Sequence, residues 1–204
     1  MSELSKTKVI GITGSMGSGK SKASSFIRKL YPVLDCDQVN ANLLNKGNLG
    51  YQELVQLDWI PLDSSQEIDK KGMASKMFQD ADKKKTIESI LHPLILNEMK
   101  EWISKQSTEL AFVEVPLLFE SHMENLFDSI WCVVVSDQIA LERLSKYRNY
   151  TESQAKERLA TQMPVGEKVK RSNLVLKNDG SLENLENQIQ DAIGKEIQRF
   201  ERND

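Results

Sequence analysis

Apolar residues in this chain fall into two patterns, short unbroken runs and longer stripes at helical spacing. Val9-Ile10-Gly11-Ile12-Thr13 is the first run, bounded by glycine and followed by helix-compatible sequence. It predicts a strand buried on both faces at the entry to a βα unit. Comparable runs occur at Phe112–Val115, where Glu114 interrupts the series, at Ile130–Val135, at Leu174–Leu176 and, more briefly, at Tyr31–Asp35. Strands separated by helical segments predict right-handed crossovers and an α/β fold, a parallel sheet flanked by helices. Ligands of such sheets bind beyond the carboxyl ends of the strands.

Strand signals vanish between Val39 and Thr108, where mostly helical patterning breaks at Asn45-Lys46-Gly47-Asn48 and Asp63-Ser64-Ser65. A helical lobe is expected over 39–108. Further on, Ser136 or Asp137 can cap a helix carrying Ile139, Arg143, Leu144 and Tyr147, and Thr151 with Gln154 forms a capping-box pattern that opens another. Residues 137–171 therefore read as two helices joined by a turn, rich in Arg and Lys. Leu182, Leu185, Ile189, Ile193, Ile197 and Phe200 make an amphipathic stripe that predicts a core-packing helix. The core is then expected to comprise 1–38, 109–136 and 172–204.

At 204 residues the chain has room for one substantial core with an inserted lobe. A formal net charge of -3 with 28% charged residues gives no electrostatic sign of a nucleic-acid partner. Cys36 and Cys132 lie far apart with no CxxC, which argues against a disulfide scaffold or zinc site and for reduced core thiols. Met1–Lys6 lacks the apolar stretch of a signal peptide, and no apolar run approaches membrane-spanning length. A cytoplasmic protein without a membrane partner is the expectation.

The chemistry begins at Gly14-Ser15-Met16-Gly17-Ser18-Gly19-Lys20-Ser21, which matches G-x-x-x-x-G-K-[ST] in full, after a strand and before a helix. Glycines allow the backbone approach by which successive N–H groups wrap a phosphate chain. Lys20 is expected on the β- and γ-phosphates of ATP, and the Ser21 hydroxyl on Mg²⁺. Asn45-Lys46-Gly47-Asn48 fails the last position of the N-K-x-D guanine motif, which disfavours a GTPase switch. The interrupted Phe112–Val115 run and the short chain disfavour a motor ATPase. A kinase acting on a small-molecule hydroxyl remains, closing a basic lid over its nucleotide.

Asp35-Cys36-Asp37 ends the second predicted strand. At i, i+2 in an extended segment the two carboxylates would share a side, so that one accepts a hydroxyl proton while the other holds Mg²⁺ or its waters; which does which stays open. The plainer reading of the pair is a turn or helix cap. In the lid segment, Arg143 and Arg148 are the arginines placed to meet charge on the transferring phosphoryl group.

Together with these residues, Ile90-Leu91-His92-Pro93-Leu94-Ile95, Val115-Pro116-Leu117-Leu118-Phe119-Glu120, Gln162-Met163-Pro164 and Asn178-Asp179-Gly180-Ser181-Leu182 give a sequence that resembles the dephospho-CoA kinase family over nearly its whole length. The resemblance implies a P-loop core, a coenzyme A lobe at 39–108 and a lid at 137–171. It implies Asp37 as general base on the ribose 3′-hydroxyl of dephospho-CoA and Asp35 near the metal. Arg148 would cover ATP, Asn178 would lie near the adenine, and His92, Pro116, Leu117 and Arg143 would serve the acceptor. Four positions depart from the family's pattern: Lys22, Ala41, Lys70 and Asn149.

Overall fold

A computed structural model describes residues 7–202, so the reading made on Met1–Lys6 lies outside the described residues. Two compact units divide the chain: one is built from the described residues up to Leu34 and from Gln106 onward, the other from Asp35–Lys105.

The first unit holds a five-stranded parallel sheet of β1 (Lys8–Gly14), β2 (Val33–Asp35), β3 (Leu110–Glu114), β4 (Ser129–Val134) and β5 (Leu174–Lys177), in the order β2-β3-β1-β4-β5. β1 lies between β3 and β4, with Ile12 opposite Glu114 on one side and Thr13 opposite Cys132 on the other. Its unbroken apolar run follows from that place: covered on both faces, it has no solvent side on which to alternate. Helices α1 (Lys20–Ile27) and α9 (Leu182–Glu201) bring Ala23, Ile27, Leu185, Ile189 and Phe200 into one core with Ile10, Ile12, Phe112 and Trp131. Phe112 and Trp131 meet edge to face at 5.3 Å. Leu182, counted in the helical stripe, is exposed, because it opens α9 one residue after the Ser181 cap.

The segment 137–171 contains three helices rather than two, α6 (Asp137–Arg148), α7 (Glu152–Ala160) and α8 (Val165–Arg171). Ser136 caps α6, and Thr151 and Gln154 complete the capping box of α7. The third helix was masked by Pro164, which reads as a breaker but stands at the N-cap of α8, where a missing N–H costs nothing.

The second unit contains α2 (Cys36–Leu43), α3 (Leu49–Leu54), α4 (Lys70–Gln79) and α5 (Ala81–Ser104). α2, α3 and α4 all pack on α5, and Leu44, Leu54, Ile68, Met73, Ile87 and Leu91 form its core. Pro93 lies within α5 rather than at a helix end. The acceptor deprived by its missing N–H is the Ser89 carbonyl, on an exposed residue where water can replace the bond, while Ile87, Leu91 and Met99 anchor the helix on either side. Both cysteines are buried thiols outside any disulfide. No helix among the described residues is long and apolar enough to cross a membrane.

Candidate active site

β1 ends at Gly14 and α1 begins at Lys20, so residues 14–19 form the turn at the carboxyl edge of the sheet. Gly19, the N-cap of α1, has φ 90°, a left-handed conformation that side chains resist. A Cβ there would lie 2.1 Å from Asn178 Nδ2, and one on Gly14, at φ 150°, would lie 2.3 Å from the Val133 carbonyl oxygen. No side chain caps α1, which leaves its electropositive end to an anion. Lys20 Nζ donates to the carbonyls of Gly14 at 2.8 Å and Ser15 at 3.0 Å. The Ser21 hydroxyl donates to Glu114 Oε1 at 3.2 Å.

A second set of contacts holds this loop by its carbonyls. Arg143 Nη1 donates to Gly17 O at 3.3 Å and to Ser18 O at 3.4 Å, while its Nη2 donates to Asn178 O at 3.0 Å. Asn178 Nδ2 donates to Ser18 O at 2.7 Å. Because C=O and N–H of a trans peptide point oppositely, fixing Ser18 O turns the Gly19 N–H to the other side of the loop. Arg143 and Asn178 thus reach the P-loop backbone itself. Arg148, the last residue of α6, is exposed and precedes Asn149.

Beyond β3, the Pro116 carbonyl accepts from the Thr13 hydroxyl and from Lys168 Nζ, both at 3.4 Å, whereas Leu117 is exposed. Glu120 Oε1 accepts from the Met163 N–H at 2.9 Å and from the fully buried Lys168 Nζ at 2.8 Å. Burial alone would raise the Glu120 carboxyl, but the bonds from Lys168 and Met163 outweigh it and hold the group below the usual carboxylate range. A cavity of about 440 Å³ opens between the P-loop, the end of β4 and the α7–α8 turn, with Ser15, Ser18, Val135, Asp137, Gln162 and Met163 in its wall.

In the helical unit, Asp35 is the N-cap of α2, and its Oδ1 accepts from the N–H of Asp37 at 2.9 Å and of Gln38 at 3.3 Å. Asp37 belongs to the first turn of that helix, so the extended i, i+2 geometry expected of the pair does not form. A cap carboxylate satisfies N–H groups that the helix cannot, and this favours a helix directly at the strand end. His92 is exposed on α5.

Glu114 is the residue that sequence reasoning passed over. It is buried at the carboxyl end of β3, beside the P-loop serine. The available signal was a lone acid at the end of an otherwise apolar run. Among the described residues, no three His, Cys, Asp or Glu side chains cluster to hold a metal. Ser21 with Glu114 does suit Mg²⁺, which takes few protein oxygens and completes its shell with phosphate and water.

The dephospho-CoA kinase family model matches residues 8–184. The chain belongs to the dephospho-CoA kinase family. A dephospho-CoA kinase of Bacillus thuringiensis is 35% identical over 194 residues, covering 93% of this chain and 97% of the relative. That of Streptococcus agalactiae is 37% identical over 193 residues, covering 92% and 98%. A Thermus thermophilus protein of solved crystal structure superposes with a TM-score of 0.80 at 30% identity, covering 93% of this chain and 97% of the other. Kinase membership carries ATP use with it. Two of the departures from the family's pattern meet in this fold, since Lys70 Nζ donates to the Ala41 carbonyl at 3.4 Å. A third, Asn149, takes the left-handed C-cap of α6 at φ 55°, a role asparagine fills with little strain.

Proposed function

We propose that this chain transfers the γ-phosphoryl group of ATP to the ribose 3′-hydroxyl of dephospho-CoA, giving CoA and ADP. The observation that carries the reading is the complete P-loop opening onto an uncapped helix, in a chain of this family.

The loop's N–H groups and the α1 terminus hold the phosphate chain. Lys20, held at the loop by the Gly14 and Ser15 carbonyls, brings its charge to the anionic oxygens of the β- and γ-phosphates. Ser21 and Glu114 would hold Mg²⁺, with Asp35 near it or its waters; when bound, the ion neutralises charge gathering on the phosphates. As the 3′-oxygen bonds to phosphorus, Asp37 takes the hydroxyl proton and the bond to ADP breaks. Asp35 has one oxygen committed to capping, which supports Asp37 as the base. Residues 39–108, with His92, form the acceptor lobe, and Pro116 and Leu117 also serve the acceptor. Residues 137–171 form the lid, with Arg148 closing over ATP. Among the described residues the buried Asn178 Oδ1 has no hydrogen-bond partner, which supports its placement near the adenine. The expected compartment is the cytoplasm.

A coupled ADP-release assay compares dephospho-CoA with AMP, adenosine and gluconate as acceptors. Release that depends on dephospho-CoA is the expected result; release dependent on another acceptor, or on none, would overturn the reading.

A further inference from the structure

A hydrogen-bonded relay reaches Lys20 from outside the phosphate loop. Gln162, in the turn between α7 and α8, accepts the Met16 N–H on its Oε1 at 3.0 Å. The same peptide unit carries the Ser15 carbonyl, which trans geometry points the opposite way. That oxygen accepts from Lys20 Nζ at 3.0 Å and from the Ser18 N–H at 3.2 Å. One end of the peptide is thus in the grip of Gln162 while the other holds the ammonium.

Gln162 is itself fastened. The next residue, Met163, gives its N–H to Glu120, whose carboxylate also pairs with the fully buried Lys168. Lys168 is fully buried and Glu120 half-buried, so breaking the pair would leave a buried ammonium without its carboxylate, and the α7–α8 turn is a firm support. Rotation of the Ser15–Met16 peptide would take the N–H from its acceptor and carry the Ser15 oxygen away from Lys20.

We propose that Gln162 is a positioning residue for phosphoryl transfer. By fixing the Ser15–Met16 peptide, it keeps the Lys20 ammonium against the phosphate loop. It acts through Lys20 and rests on the phosphate role given to that lysine above.

The test uses the full chain with Gln162→Met, which keeps the length without a strong acceptor, and Gln162→Asn, which keeps polarity but withdraws the acceptor by one methylene. Both are assayed for ADP release at varied ATP and dephospho-CoA. In both, kcat/KM for ATP is expected to fall about tenfold, equivalent to ~1.4 kcal/mol, while KM for dephospho-CoA is unchanged. The Met16 amide proton resonance of the folded variants is expected to shift upfield as its bond is lost, a change that a role elsewhere in the fold would not produce. Parent-like kinetics for ATP in either folded variant, or a loss confined to KM for dephospho-CoA, overturns the relay. Lys20→Ala measured in parallel separates the failures: if it retains turnover, the phosphate role of Lys20 falls; if it is inactive while Gln162→Met matches the parent, only the relay falls.

Discussion

α1 follows β1 through the glycine-rich loop and α2 follows β2 without a break, and the first turns of the two helices are finished in opposite ways. α1 begins at a glycine with φ 90° and no side-chain cap, whereas α2 begins at Asp35, whose carboxylate accepts two of the helix's own N–H groups. Both ends carry the same positive end of the helix dipole. An end without a cap offers unspent donors to a ligand anion, while one closed by its own carboxylate has already used them. In the proposed reaction the two aspartates and the phosphate loop take separate tasks, in keeping with that difference. There the loop would bind through its backbone, so its residues are chosen for what they leave out, and the Asp35 turn would work through side chains, so its residues are chosen for what they present.

The largest expected effect breaks the open end. Lys20→Ala should lower kcat/KM for ATP by at least ~10³-fold, about 4 kcal/mol of lost electrostatic stabilisation. Steady-state ADP release measures it, and a loss under about tenfold would mean that the open helix end suffices without its lysine. At the closed end, Asp37→Asn should reduce kcat by ~10²–10³-fold, within the range for general-base assistance, and leave both substrate affinities nearly intact. If added Mg²⁺ restores that variant, Asp37 serves the metal and the base is Asp35.

Asp35→Ala sharpens the comparison through stability. Loss of the cap should cost about 1 kcal/mol, and Asp35→Asn, which caps as well, should unfold like the parent in a denaturant titration. Equal losses in both variants would show that capping is not what Asp35 contributes. The smallest effect concerns Glu120, whose folded carboxyl is held below its ordinary range. Its contribution to stability is complete above that range and is lost as pH falls through it toward the lowered folded value. Melting temperatures measured from neutral to acid pH should therefore fall more steeply for the parent than for Glu120→Gln; identical slopes would remove this carboxylate from the acid response.

How far each feature was legible follows from the distance over which it is encoded. The P-loop could be read because its pattern lies in eight consecutive residues, Gly14 to Ser21, with glycine where the turn demands it. The parallel sheet was legible in unbroken apolar runs, the α7 start in Thr151 and Gln154, and the α9 face in its spacing, since each pattern lies within a few turns of chain. The geometry of Asp35-Cys36-Asp37 was not legible, because its own cap drew the chain into a helix where an extended segment was expected.

The sequence by itself determined the fold class, the family and the glycine-rich turn between β1 and α1. Only the tertiary structure decided that Arg143 and Asn178 grip the carbonyls of Gly17 and Ser18, that Glu114 meets Ser21, and that Gln162 and Glu120 tie the α7–α8 turn to Met16 and Lys168. Local pattern states that an arginine or a carboxylate is present. Its partner is set by which distant segments the sheet order places side by side, because a buried polar group must find its bond among whatever neighbours the topology supplies.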